Sequence, residues 1–126
     1  MTANPAEEIV NNFIAAIGAK DEAAAMAFVS EDCYYDNVPI GDMTGKAKMA
    51  EFLAPTFRSK GPVEFEIVRQ TASGNVVMNE RIDKFMAKGR QIALPVAGVF
   101  EVNDGLITFW RDFFDNGMFM QQLSGL

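Results

Sequence analysis

The stretch Asn79-Glu80-Arg81-Ile82-Asp83-Lys84-Phe85 has the pattern of a β-strand, and the rest of the chain must be arranged around it. Successive side chains of a strand point to opposite faces of the sheet, so Arg81 and Asp83 share one face with Val77 and Phe85. Amphipathic strands normally keep charge on one face, but both faces are mixed here. If the face of Arg81 points into the protein, two charges leave water, which is rare without a functional use.

The first half of the chain predicts three helices. Their limits follow from capping residues and helix breakers, and they extend from Asn4 to Gly18, from about Asp21 to Val29, and from Thr44 or Gly45 to about Leu53. A strand is predicted at 33–38, and a loop at 39–45 joins it to the third helix.

Strand patterns dominate from Pro62 onward. The predicted strands cover 63–72, 76–87, 91–102 and 106–115, and the tail 118–126 is predicted to be partly helical. Helices followed by antiparallel strands indicate the α+β class, and long strands interrupted by Pro and Gly bend strongly. We therefore predict the cone-shaped fold of nuclear transport factor 2-like proteins. In it, a strongly curved mixed β-sheet and three N-terminal helices enclose an apolar pocket.

Composition limits the classes of function. The 126 residues, 49% hydrophobic and 22% charged, predict a single soluble domain over residues 1–126. A net charge of −6 without a Lys/Arg cluster argues against nucleic-acid and anionic-membrane partners. The acidic N-terminus lacks the pattern of a signal peptide, and no apolar run approaches the ~20 residues that span a bilayer, so we expect a cytoplasmic protein.

The inventory of reactive side chains is short. The chain contains no histidine, which excludes Ser-His-Asp and Cys-His catalysis and histidine-containing zinc sites. The single cysteine, Cys33, excludes an internal disulfide and a multi-cysteine metal site, and we interpret it as a small buried hydrophobic residue.

Strand alternation brings further polar residues to the face of Arg81 and Asp83. The last strand presents Asp112 on the same face as Trp110, and the first strand presents Tyr35 together with Asn37. If these faces point into one cavity, the polar groups inside it are Tyr35, Asn37, Arg81, Asp83 and Asp112.

These five side chains form a chemically specific set. Two carboxyls in an apolar pocket do not both ionise readily, so one tends to retain its proton. Arg81 has a planar fork of donors that can hold Asp83 and Asp112 at once. The result would be an acid and a base a few ångströms apart, with Tyr35 and Asn37 free to orient a water molecule.

Three motifs carry a family resemblance. Tyr35-x-Asn37, Arg81-x-Asp83 and Trp110-Arg111-Asp112-Phe113-Phe114 occur in this order, with Leu94-Pro95-Val96-x-Gly98-Val99-Phe100 between the last two. Together they resemble the limonene-1,2-epoxide hydrolases of the nuclear transport factor 2-like and SnoaL-like superfamily. The resemblance covers most of the chain, from the Tyr-x-Asn strand to Phe119.

The resemblance implies hydrolysis of an epoxide in one push–pull step, with no covalent intermediate, no metal and no cofactor. Asp112 would take a proton from a water that Tyr35 and Asn37 also hold. Asp83 would protonate the oxirane oxygen, and Arg81 would bridge the two carboxyls.

The implied substrate is limonene-1,2-epoxide or a similar cyclic or terpenoid epoxide, and the implied assembly is a homodimer. The side chains expected to line the substrate pocket are Val77, Phe85, Leu94, Val96, Trp110, Phe114 and Phe119.

Other interpretations remain open at this point. Ketosteroid isomerases and polyketide cyclases use an Asp base on the same fold, although a guanidinium that ties two aspartates together does not suit proton transfer between carbons. A catalytically silent binding protein is a third class. Arg81 and Asp83 taken alone would most often be an exposed ion pair, and Tyr35 taken alone a core tyrosine. Asp36 and Arg111 alternate to the opposite face and are predicted to be structural or surface residues.

Overall fold

A computed structural model of the protein describes residues 4–125, so the first three residues of the acidic N-terminus and Leu126 lie outside the described part. Within it are four helices and six strands. The helices are α1 (Pro5–Gly18), α2 (Glu22–Ala27), α3 (Lys46–Phe57) and α4 (Asn116–Ser124). The strands are β1 (Val29–Asn37), β2 (Gly41–Thr44), β3 (Glu64–Ser73), β4 (Val76–Ala87), β5 (Arg90–Asn103) and β6 (Leu106–Phe113).

The six strands form one sheet in the order β2-β1-β6-β5-β4-β3. The pairing of β1 with β6 is parallel and the other pairings are antiparallel, so the sheet is mixed. The predicted α+β class and the curved mixed sheet are confirmed. Besides the three predicted N-terminal helices there is a fourth, α4, which lies in the tail predicted to be partly helical and begins at Asn116.

Helix α1 has the predicted bounds because its first turn is capped. The Asn4 side chain accepts a hydrogen bond from the Glu7 N–H at 3.1 Å, and Pro5 occupies the first helical position. The helix buries Phe13, whose ring meets Trp110 of the sheet edge-on with centroids 5.3 Å apart. None of the helices between residues 4 and 125 has the length and apolar character that crossing a lipid bilayer requires.

Several element limits differ from the predictions, and the largest shift of a strand is in β1, which begins at Val29 instead of residue 33. Helix α2 ends at Ala27 because Val29 already begins β1, and the predicted loop at 39–45 contains the short strand β2. Helix α3 continues past Leu53 to Phe57 although Pro55 lies inside it. Pro55 stands in the last turn, where its missing N–H removes one helical hydrogen bond, while the following Phe57 is buried.

Pro95 lies on a locally free edge of β5, as the sequence predicts for a proline inside a long strand. Strand β6 pairs with β5 only from Ala97 onward, so Pro95 is paired with β4 alone. Next to it, Gln122 of α4 takes the place of a neighbouring strand. Its side chain accepts from Ala93 N at 2.8 Å and donates to Ala93 O at 2.9 Å, which attaches α4 to the sheet.

Cross-strand register aligns one polar row across the sheet. Directly paired residues from β3, β4, β5, β6 and β1 form this row, which we call the polar row: Gln70, Asn79, Gly98, Asp112 and Asn37. The next row on the inner face is apolar and aromatic: Ala72, Val77, Phe100, Trp110 and Tyr35. Phe13 of helix α1 packs against Phe100 and Trp110 of this apolar row.

Candidate active site

Arg81 is the centre of the polar site. It is fully buried, at 0% exposure. Its Nε donates to Asp83 Oδ1 at 2.9 Å and its Nη2 to Asp83 Oδ2 at 3.0 Å, a bidentate pairing. The same Nη2 donates to Asp112 Oδ2 at 2.8 Å, so one guanidinium connects the two carboxyls.

Burial controls the protonation of the two carboxyls. Burial raises the pKa of Asp83 to about 6, although the charge and hydrogen bonds of Arg81 act in the opposite direction. Burial also raises the pKa of Asp112, against the charge and hydrogen bonds of Arg81 and the hydrogen bond from Trp110. For Arg81, burial disfavours the cation, but Asp112 and Asp83 outweigh it and its pKa is raised. The site therefore contains one permanent cation and two carboxyls that bind protons more tightly than exposed aspartates.

The indole of Trp110 supports Asp112 from behind. Trp110 Nε1 donates to Asp112 Oδ1 at 2.6 Å, so both oxygens of that carboxyl accept a hydrogen bond. The indole is stacked between Tyr35, at 4.2 Å between centroids, and Phe100, at 5.3 Å. The prediction that Trp110 lines the substrate pocket is therefore corrected: Trp110 belongs to the core that fixes Asp112.

Val77 requires the same correction. It has no exposed surface, and it packs in the core cluster together with Phe13 of α1 and Phe100. The predicted alternation is right, since Val77 shares the inner face with Arg81. However, Val77 is enclosed by these core residues and is not among the side chains that line the cavity.

An apolar cavity of about 150 Å³ opens beside the two aspartates. Its walls include both Asp83 and Asp112. The other predicted residues that line it are Tyr35, Asn37, Phe85, Leu94, Val96, Phe114 and Phe119. Arg81 lies behind these walls and does not line the cavity.

Five wall residues were not assigned to the site from the sequence: Ile40, Phe52, Leu53, Thr56 and Phe65. Phe65 could have been found, because it alternates with Glu64 and Glu66 and so lies on the apolar face of β3, where the structure pairs it with Asp83. Phe52 and Leu53 belong to the predicted buried side of α3, yet nothing in the sequence shows that this side covers a cavity. Ile40 lies in the turn between β1 and β2, where no pattern predicts its direction.

Tyr35 and Asn37 reach the cavity next to Asp112. The Tyr35 hydroxyl donates to Asn37 Oδ1 at 3.4 Å, and burial raises the pKa of Tyr35, so the phenol stays neutral. The Asn37 Nδ2 group is buried without a hydrogen-bond partner among residues 4–125. An unpaired buried donor is unfavourable by about 1–3 kcal/mol, which makes Asn37 a ready donor to a water or ligand in the cavity.

Asn79 is a further polar contact that the sequence did not single out. Arg81 Nη1 donates to Asn79 Oδ1 at 2.9 Å, and Asn79 is 5% exposed. On the opposite face, Arg111 Nε donates to Asp36 Oδ2 at 2.8 Å across the β1–β6 pairing, which agrees with a structural role for this pair. In the part of the chain that the structure describes, no three His, Cys, Asp or Glu side chains come together as metal ligands would.

Comparison with protein families gives a match over nearly the whole chain. Residues 4–124 match the model of the limonene-1,2-epoxide hydrolase catalytic domain. The chain is 37% identical over 120 residues to the epoxide hydrolase EphG of Mycobacterium tuberculosis, covering 93% of this chain and 78% of that protein. The predicted family resemblance is confirmed.

Solved structures agree with this result. A limonene-1,2-epoxide hydrolase-like epoxide hydrolase of Mycobacterium tuberculosis superposes with a TM-score of 0.80 at 36% identity, covering 96% of this chain and 91% of that one. A nuclear transport factor 2-like protein of unknown function from Cytophaga hutchinsonii superposes with a TM-score of 0.76 at 18% identity, covering 94% and 97%. The second likeness concerns the fold alone, and the predicted fold is confirmed.

Proposed function

The chain belongs to the limonene-1,2-epoxide hydrolase family and is an epoxide hydrolase, and from this premise we propose both its substrate class and its mechanism. The proposed reaction adds water to an apolar cyclic or terpenoid epoxide, such as limonene-1,2-epoxide, to give a vicinal diol in one acid–base step. The observation that carries the proposal is the single buried guanidinium bridging two carboxyls that both line an apolar cavity.

In the proposed step the two aspartates act at opposite ends of the substrate. Ionised Asp112 takes a proton from water while the water oxygen bonds to an epoxide carbon. The C–O bond breaks, and the epoxide oxygen takes the proton of Asp83. Asp112 is then protonated and Asp83 ionised, and transfer of one proton between them, directly or through solvent, restores the starting state. Acid–base steps of this kind contribute ~10²–10⁴-fold each.

The remaining polar groups hold the reactants. Asn37 Nδ2, the unpaired donor, and the Tyr35 hydroxyl border the same part of the cavity as Asp112, so together they can fix a water. Arg81 remains charged throughout and stabilises whichever aspartate is ionised, so the site keeps the same total charge from reactant to product.

Cavity size and lining favour an apolar ring. A closed apolar cavity of ~150 Å³ in another protein binds benzene, so a cavity of about 150 Å³ accepts one six-membered ring. Larger epoxides would extend past Ile40 and Phe52, two wall residues that are 50% and 43% exposed. This wall supports an apolar substrate, with the epoxide oxygen directed to Asp83.

The proposed function is tested by a small panel of epoxides and isotope labelling. We expect the purified protein to convert cyclohexene oxide and limonene-1,2-epoxide to diols at the same rate with and without a chelator. In a single turnover in ¹⁸O water, the label should appear in the diol. Label found first in an aspartate would indicate a covalent ester and contradict the one-step mechanism.

A steroid enone assayed in parallel separates the proposal from its alternative. Isomerisation of the enone without epoxide hydrolysis would assign the Asp base to proton transfer between carbons and overturn the proposed function.

We also propose that the protein forms a homodimer through the outer face of the sheet. That face exposes a groove whose apolar lining is Met78, Val99, Ala97 and Phe113, beside the charged Arg69 and Glu80, and Met78 and Phe113 are 50% and 47% exposed. Exposed apolar patches of this kind mark association sites. Sedimentation velocity should show a dimer at micromolar concentration and a monomer for Met78→Glu, whereas a monomeric wild type would contradict the assembly.

A further inference from the structure

A chain of hydrogen bonds leads from Arg81 through the sheet to helix α1. Arg81 Nη1 donates to Asn79 Oδ1 at 2.9 Å, and Asn79 Nδ2 donates to Gln70 Oε1 at 3.0 Å. Gln70 Nε2 then donates to Glu7 Oε2 at 3.0 Å and to Asn11 Oδ1 at 2.9 Å. The chain thus connects the buried guanidinium with two residues on the first turns of α1.

The ends of this chain determine the orientation of every amide in it. A guanidinium can only donate hydrogen bonds, and a carboxylate such as Glu7 can only accept them. Gln70 must therefore turn its NH₂ toward Glu7 and its oxygen toward Asn79. Asn79 in turn directs its NH₂ to Gln70 and its oxygen to Arg81. The orientation of both amides therefore follows from the chemistry of the two ends.

A β-bulge places Gln70 in this chain. The β3–β4 register shifts between Ile67 and Arg69, leaving Val68 as the extra residue. Before the bulge the odd-numbered Ile67 stands opposite Arg81, and after it the even-numbered Gln70 stands opposite Asn79. The bulge thereby turns Gln70 to the inner face, as bulges next to functional sites commonly do.

We propose that Asn79 is a positioning residue that locks the guanidinium of Arg81 between Asp83 and Asp112, and that Gln70 holds Asn79 in the required orientation. Asn79 touches neither Asp83 nor the cavity, so it acts only through Arg81. With Asn79 bound to Nη1, the opposite edge of the guanidinium remains directed at Asp83, and Nη2 stays shared with Asp112. The catalytic part of this proposal rests on the proposed function.

Loss of Asn79 would free one buried donor of Arg81. The space above Gly98 is bordered by Arg81 Nη1, Asp112 Oδ1 and Asn79 Oδ1, so Asp112 Oδ1 is a second acceptor on the side of the guanidinium that Nη1 faces. A guanidinium that turns toward it weakens its bidentate contact with Asp83 and stabilises ionised Asp112. Asp112 then becomes a weaker base and Asp83 a less well-placed acid.

The test combines kinetics of two variants with NMR of the arginine side chain. Asn79→Ala should lower kcat by about 10- to 100-fold, the range for a hydrogen bond to a charged group, with KM unchanged within about twofold. Gln70→Leu, at a half-exposed position, should lower kcat by about two- to tenfold. In ¹⁵N-arginine spectra of the unliganded protein, the Arg81 Nη protons should exchange faster in Asn79→Ala than in the wild type.

Asn75→Ala is the matched control, because Asn75 also donates from its amide, to Asn103 at 3.2 Å, but in an exposed turn. It should leave kcat and the Arg81 spectrum unchanged. Wild-type kcat in both Asn79→Ala and Gln70→Leu, or a loss confined to KM, would overturn the catalytic role. Unchanged Nη exchange would overturn the positioning itself. The spectra can be recorded whether or not the protein is active. An inactive wild type would therefore refute the proposed function, while the Nη exchange rates would still decide whether Asn79 positions Arg81. If Asn79→Ala does not fold, the spectrum of Gln70→Leu decides the positioning.

Discussion

Asp112→Asn should lower kcat/KM for epoxide hydrolysis by about 10²–10⁴-fold, because an amide cannot take the proton from the attacking water. The substitution also creates a hydrogen-bond conflict. Both oxygens of Asp112 accept from donors, Trp110 Nε1 at 2.6 Å and Arg81 Nη2 at 2.8 Å. An amide offers one acceptor, so one of these donors loses its partner in either orientation of the side chain.

Asp83→Asn should be impaired to a similar degree for the opposite reason, since it removes the proton donor. Asp36→Asn is the matched control: it changes the same chemical group on the outer face, where Asp36 pairs with Arg111, and should retain wild-type kcat within about twofold. Full activity in Asp83→Asn or Asp112→Asn, measured by diol formation, would contradict the acid–base pair.

The pH dependence follows from the buried acid. Burial raises the pKa of Asp83 from 3.8 to about 6, so wild-type kcat/KM should fall as the pH rises through about 6 and Asp83 loses its proton. Folding favours the protonated form of this group, so its effect on stability has the same sign. The contribution of Asp83 to the free energy of unfolding is therefore largest below pH 3.8, where the protein is most stable with respect to this group. It decreases as the pH rises to about 6.

Gly98→Ala is expected to disable the site without altering any polar residue. Gly98 lies in the middle of the polar row, paired with Asn79 on one side and Asp112 on the other. A Cβ at this position would overlap Arg81 Nη1 and come within 2.7 Å of Asp112 Oδ1. Neither group can withdraw, because each is held by hydrogen bonds to buried partners.

The expected result for Gly98→Ala is a loss of ~10²-fold or more in kcat/KM, the effect of displacing catalytic groups by about 1 Å. The free energy of unfolding should fall by about 1–3 kcal/mol, as for other overpacked interiors. Gly18→Ala is the control, since a Cβ there meets Val63 O at 3.5 Å, an ordinary contact. Diol formation and urea unfolding of both variants provide the measurements, and a fully active Gly98→Ala would show that the guanidinium has more space than the structure gives it.

Alternation within strands explains why so much of the site could be predicted from the sequence. The side-chain period of a strand is two, so the position of Arg81 alone places Asp83 on the same face, and the same rule places Tyr35 with Asn37. The residue types then indicated that these faces of the strands are turned to the interior, because their side chains can react together only if they lie close to one another.

Alternation does not give depth along a strand, and this explains the two errors in the pocket lining. Val77 and Trp110 are on the predicted face but are packed in the core with Phe13 of α1, whereas Tyr35 in the same row, and Leu94 and Val96 further along β5, line the cavity. Whether a side chain of the inner face is covered depends on where helix α1 crosses the sheet. This is a tertiary property, and no local sequence pattern predicts it.

The bulge at Val68 shows a second limit of local patterns. It changes which residues of β3 face inward, and no glycine or proline accompanies it in the sequence. Without the bulge, Gln70 would be assigned to the outer face and its link to Asn79 would be missed. The inward orientation of Gln70 is seen only from the pairing of β3 with β4 in the structure.

The reacting groups and the outer wall of the cavity come from different parts of the fold. The proposed acid and the arginine stand on β4 and the proposed base on β6, and both strands pair with β5, so a change of position in one strand disturbs its neighbours. The outer cavity wall comes instead from the turn at Ile40, from Phe52 and Thr56 on α3, and from Phe119 on α4. Substitutions there can reshape the space for the substrate while the sheet keeps the reacting groups in place. New epoxide preferences can therefore evolve in this architecture by exchange of a few wall residues, without loss of the ability to open the ring.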